Sequence, residues 1–142
     1  MPSWKELVIG VTAGLLALMG GFDTPLQMLL LLNLLDLASG LTKGTITGTL
    51  SSEACRTGGL KKLMMWFVVA ASVVTDQLIG QGDSVRTVTV TTFCATELVS
   101  ILENAAMAGL PIPPALRQAL AKLKGLSEVQ FSTASGGDKP AP

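Results

Sequence analysis

Seven polar residues share one side of an otherwise apolar stretch near the C-terminal third of the chain. They are Thr89, Thr92, Thr96, Glu97, Ser100, Glu103 and Asn104. Read at 100° per residue they fall within an arc of roughly 140°, while Val88, Leu98, Val99 and Leu102 occupy the opposite side. Positions 85–91 alternate like a β-strand, but a lone strand in lipid leaves its edge N–H and C=O groups without partners. A helix with a continuous polar stripe and two carboxylates is the better reading. Charged groups at such depth face a bundle interior or a water-filled cavity. The stripe therefore suits either a hydrated path or a polar packing interface.

A second set sits in the leucine-rich stretch 26–42. Asn33, Asp36 and Gly40 recur at helical spacing and share one face. The nine leucines there gain roughly 0.3–0.6 kcal/mol each on insertion, against about 3 kcal/mol lost to Asp36, so the helix inserts with its acid turned into the bundle. A snorkelling Lys43, about 10 Å along the axis from Asp36, or a lysine of a neighbouring helix, is placed to neutralise it. Asp76 closes a third apolar stretch on the same face as Ser72 and Thr75. Catalysis has little to draw on. There is no His, which removes His triads and His metal sites. Cys55 and Cys94 lack CxxC spacing and fall in different segments, so neither metal nor disulfide chemistry is expected. No cofactor is implied.

The elements that must position these residues are membrane helices. Charged residues make up 14% of the 142 and apolar residues 49%, against roughly 25% charged in a soluble domain. Four spans fit, at about 5–22, 24–42, 60–79 and 85–106. With them, Lys5, Lys43, Arg56, Lys61, Lys62, Arg117, Lys122, Lys124 and Lys139 lie on one side and Arg86 alone on the other. Lysine and arginine are retained on the cytoplasmic side, so both termini are expected in the cytosol of a multi-pass membrane protein. The first span lacks a small-residue cleavage site and reads as an uncleaved helix. Its Gly10 and Gly14 have the GxxxG spacing that permits close helix packing, and Gly40 is a third small packing residue.

The stretch 43–59 is rich in Gly, Thr and Ser and reads as a cytoplasmic loop with at most a short helix. Lys61 and Lys62 follow as an interfacial cation pair. Residues 80–84 make a tight outer turn. The residues from 1 to 110 thus form a four-helix transmembrane domain. From 111 to 126 the repeat Leu116, Leu120, Leu123 beside Arg117, Lys122 and Lys124 predicts a basic amphipathic helix on the anionic inner leaflet. Residues 127–142 have the composition of a disordered tail. The fold class is all-α: an integral membrane protein with four transmembrane helices and a C-terminal interfacial helix.

The chain also resembles the phage lysis holins and toxin-secretion holins grouped as phage holin family 4. Five pieces carry the resemblance: Asp36-Leu37-Ala38-Ser39-Gly40; Ser51-Ser52; Gly59-Leu60-Lys61-Lys62; Asp76; and above all Glu97-Leu98-Val99-Ser100-Ile101-Leu102-Glu103-Asn104 with Gly109-Leu110-Pro111-Ile112-Pro113 after it. The similarity runs over about 24–125. Leu37 and Ser39 stand where that family often has an aromatic residue and a Thr. The resemblance implies a protein that homo-oligomerises in the inner membrane and permeabilises it during host lysis. The cargo would be an endolysin or a secreted toxin, released without direct contact; the partners would be the chain itself and the lipid bilayer, not nucleic acid. A small-pore channel or transporter and a non-permeating membrane scaffold are the alternatives, although no internal repeat of the transporter kind is present.

Overall fold

The computed structural model describes residues 3–80, 82–119, 121, 122 and 125. Leu120, Leu123, Lys124, Lys139 and the tail 127–142 lie outside the described residues. Four helices follow in order: α1 Trp4–Leu18, α2 Thr24–Thr47, α3 Ser52–Ile79 and α4 Ser84–Met107. A further helical turn begins at Pro114. No strand occurs among the described residues, so the alternating stretch 85–91 is helical, as its backbone requires in lipid.

Local chemistry sets the helix ends. Ser3 and Glu6 form a reciprocal capping box at the start of α1. Asp23 caps α2, accepting from the Leu26 N–H at 3.2 Å, and Ser51 caps α3, accepting from the Ala54 N–H at 3.1 Å. Gly48 and Gly80 end α2 and α3 in the left-handed conformation. The cap of α4 comes from another helix. Asp83 makes no side-chain cap, and the Asp76 carboxylate of α3 instead accepts the N–H of Val85 at 2.9 Å and of Arg86 at 2.8 Å.

Two boundaries differ from the sequence reading. The expected loop 43–59 is mostly helix, because α2 runs to Thr47 and α3 begins at Ser52. Thr42, Thr45 and Thr47 turn their hydroxyls back onto carbonyls one turn earlier, which satisfies them inside a helix. The first helix ends at Leu18, four residues short of the expected 22, because Gly20 and Gly21 both take positive φ and turn the chain.

Three helices, α2, α3 and α4, are long and apolar enough to cross a membrane. At 1.5 Å per residue the 15 residues of α1 reach only about 22 Å, against roughly 30 Å of hydrocarbon. α4 lies between α2 and α3, which touch each other little. α2 and α4 run the same way and α3 runs against them. The outer faces are rich in leucine, and the interior mixes apolar residues with polar and charged ones. Leu30, Leu34, Leu37 and Leu41 of α2 and Met64, Phe67, Val74 and Leu78 of α3 are exposed, whereas Asn33, Ser72, Asp76, Arg86 and Glu97 are buried. That inversion is the pattern of a lipid-facing bundle. Leu26, Leu29, Val69 and Val90 form its small apolar core, flanked by Met19, Met65, Trp66, Phe93 and Cys94.

Candidate functional site

Halfway along the bundle the three packed helices each contribute one charge. Asp36 lies about 18 Å into α2, Lys62 about 15 Å into α3 and Glu97 about 20 Å into α4. The Lys62 ammonium sits 2.9 Å from Asp36 Oδ2 and donates as well to Glu97 Oε2. Exposure of the three side chains is 17% for Lys62, 16% for Asp36 and 5% for Glu97, so solvent screens the cluster weakly. Asn104, two turns beyond Glu97, donates to Asp36 Oδ1 at 3.2 Å and to Ser39 Oγ at 3.0 Å. The Ser39 hydroxyl in turn donates to the Asp36 carbonyl. One cation thus serves two carboxylates, and the Asn104 amide donates to one of them. Such a set ties three helices together with little of its charge exposed.

A cavity of about 230 Å³ opens beside the cluster, between the end of α2 and the start of α3. Asp36, Lys62, Ser100 and Asn104 line its depth, and Lys43 and Cys55 stand nearer the 43–55 end. Gly40 and Gly44 make room along α2. A Cβ on Gly40 would lie 3.6 Å from the Asn104 amide, and one on Gly44 would lie 3.1 Å from Leu50 Cδ1. On the other side of the cluster, Asn33 is buried with its amide nitrogen 3.7 Å from Met65 Sδ. Among the described residues its Oδ1 has no hydrogen-bond partner. Next comes the apolar layer of Leu26, Leu29, Val69 and Val90.

A second polar cluster closes the far end. Arg86 is 3% exposed and donates through Nε to the Met19 carbonyl at 2.6 Å and through Nη2 to the Gly21 carbonyl at 3.3 Å. It also grips the Asp23 carboxylate with Nη1 at 2.6 Å and Nη2 at 2.9 Å, a two-pronged pair. Hydrogen bonding to Arg86 holds the Asp23 carboxyl below the ordinary carboxylate range.

The structure divides the sequence-derived sets. Of the α4 stripe, Glu97, Ser100 and Asn104 face the central cluster or its cavity. Thr89 and Thr92 are half-buried, and Thr89 and Thr96 donate to carbonyls of their own helix. Thr96 and Glu103 are exposed, and Glu103 borders an apolar groove with Arg117. Asp76 serves as the cap of α4. Lys62, expected as an interfacial cation, pairs with Asp36 and Glu97. α3 starts eight residues earlier than expected, which carries Lys62 inward to the cluster while Lys61 stays exposed. Gly10 and Gly14 pack on nothing: a Cβ on either would meet no atom within 4 Å among the described residues. Arg117 and Lys122 are exposed. Sequence reasoning missed the Arg86–Asp23 pair, although Asp23-Thr24-Pro25 marks a helix start where a buried arginine finds both a carboxylate and free carbonyls. Cys55 and Cys94 are free thiols.

The bacteriophage holin family matches residues 13–125. An uncharacterized protein of Clostridium perfringens (strain 13 / Type A) is 35% identical over 78% of this chain and 83% of its own length. An uncharacterized 14.9 kDa protein from the nagH 3' region of Clostridium perfringens is 37% identical over 73% of this chain and 80% of its own. A probable holin of Bacillus phage phi105 is 28% identical over 67% of this chain and 70% of its own. No solved structure matches. With a family match that runs through all three membrane-length helices and both polar clusters, the chain belongs to the bacteriophage holin family.

Proposed function

We propose that this holin accumulates in the bacterial inner membrane as four-span subunits, oligomerises there and permeabilises the membrane, so that an endolysin or a secreted toxin can leave during host lysis. Both termini lie in the cytosol in this reading, with α1 and the following turn as the first span. Residues 111–126 rest on the anionic inner leaflet through Arg117, Lys122 and Lys124. Gly10, Gly14 and the outward faces of α2–α4 supply contacts between subunits.

The observation that carries the reading is the inside-out bundle. Each subunit keeps Asp36, Lys62, Glu97 and Asn104 turned inward and satisfied, and presents leucine to lipid. A subunit so built is silent while alone and holds, ready-made, the polar groups that water wets once helices separate in an assembly. The cavity beside Lys62 favours a second reading, a small pore.

Inducible expression in bacteria, following membrane potential and release of a cytoplasmic enzyme together, separates the two. The holin reading expects a delay and then abrupt loss of both. Depolarisation without enzyme release supports the small pore, and neither event supports a scaffold.

A further inference from the structure

α1 has no buried residue along its length, and Leu7, Ile9, Val11 and Leu15 are all more than half exposed. Its small residues Gly10 and Gly14 have open space around them. A helix with no buried residue among the described residues takes its direction mainly from its base. That base is built around one side chain. Arg86 reaches from the first turn of α4 into the turn between α1 and α2 and binds Met19 O, Gly21 O and both oxygens of Asp23. Asp76 of α3 holds the same turn of α4 by accepting its N–H groups. The turn is shaped to admit the guanidinium. At Gly20, with φ of +77°, a Cβ would lie 2.8 Å from Arg86 Nε, so only glycine leaves both the backbone angle and the space.

We infer that Arg86 and Asp23 form a clasp that fixes the direction of α1 relative to the α2–α4 bundle, and that opening it releases α1 as a unit. Glu97 lies eleven residues beyond Arg86, about 16 Å along α4, with the apolar layer of Leu29, Val69 and Val90 between. Opening the clasp therefore leaves the central cluster in place. The freed element is an apolar helix with a small-residue face. Its release gives a single subunit two states that differ in what α1 offers to neighbours. The effect on lysis timing rests on the holin reading, whereas the movement of α1 does not.

The test uses the full chain with Cys55→Ala and Cys94→Ala, reconstituted in lipid nanodiscs. Spin labels on Leu15→Cys and Gln77→Cys report α1 against α3, and labels on Leu37→Cys and Phe67→Cys report the bundle. Asp23→Asn removes the charge but keeps a good helix cap, and Asp23→Glu restores the charge. The clasp predicts a narrow α1 distance distribution in the parent and a shift or broadening of about 10 Å, near half the length of α1, in Asp23→Asn. Asp23→Glu should recover much of the narrow distribution, and the bundle pair should stay unchanged throughout. A parent distribution already as broad as that of Asp23→Asn would overturn the clasp. So would an α1 distribution that Asp23→Asn leaves narrow, or equal broadening of the bundle pair. An α1 shift without any change in permeabilisation onset would uphold the clasp and sever it from timing.

Discussion

Lys62→Met is the most informative single change in the central cluster. The thioether fills much of the lysine stem's volume but removes the cation that Asp36 and Glu97 share. Two carboxylates then face each other in a site where side-chain exposure is 16% and 5%. Breaking a buried ion pair from one side costs about 3–5 kcal/mol, because the remaining charge is left uncompensated. At about 1.4 kcal/mol per decade, that is roughly two to three and a half orders of magnitude in the folding equilibrium. Replacing the whole set, as Lys62→Met with Asp36→Asn and Glu97→Gln, removes the charges together and should return stability to within about 1–2 kcal/mol of the parent. The assay is reversible unfolding in mixed micelles on titration with dodecyl sulfate, followed by circular dichroism. A Lys62→Met protein within about 1 kcal/mol of the parent would refute the reasoning, as would a triple variant no more stable than the single one.

Three further outcomes follow from the same geometry. Glu97→Gln leaves Lys62 and Asp36 as a one-to-one pair with an amide acceptor beside them, so it should retain more stability and more permeabilising activity than Glu97→Leu in parallel expression assays. Gly20→Ala should lower stability by at least about 1 kcal/mol in the same unfolding titration, since it adds a left-handed backbone penalty to a clash with Arg86. The pH dependence of the clasp follows from its sign. The folded Asp23 carboxyl titrates below its ordinary value of 3.8, so the clasp's stabilisation is full above that pH and is lost as pH falls through the folded value. The α1 spin-label distances should thus stay constant between about pH 5 and 8 and broaden only below about pH 4.

What was legible in the sequence depended on whether a signal was periodic. Asn33, Asp36 and Gly40 repeat along one face of α2, and Glu97, Ser100 and Asn104 along one face of α4, so their inward orientation could be read from spacing alone. Depth could not. Lys62 looked interfacial because the Thr- and Gly-rich stretch before it has no apolar period. The threonines there satisfy their hydroxyls inside α2, and the Ser51 cap starts α3 early enough that Lys62 lies within the helix, beside Asp36 and Glu97. The split of the α4 stripe was likewise hidden. Only the position of α4 between α2 and α3 decides that Glu97 is enclosed while Thr96 and Glu103 face out. The Arg86–Asp23 pair joins residues 63 apart across a glycine turn, and no local pattern encodes such a contact.

Permeabilisation by the purified protein tests the central claim most directly. Vesicles of anionic phospholipid, loaded with both a small fluorescent dye and a folded fluorescent protein, would receive the full chain at increasing protein-to-lipid ratio. Subunits that are silent alone and open by assembling should release neither cargo below a threshold ratio and both cargoes together above it. Release of the dye alone at every ratio, or of neither cargo with the protein demonstrably inserted, would contradict the account.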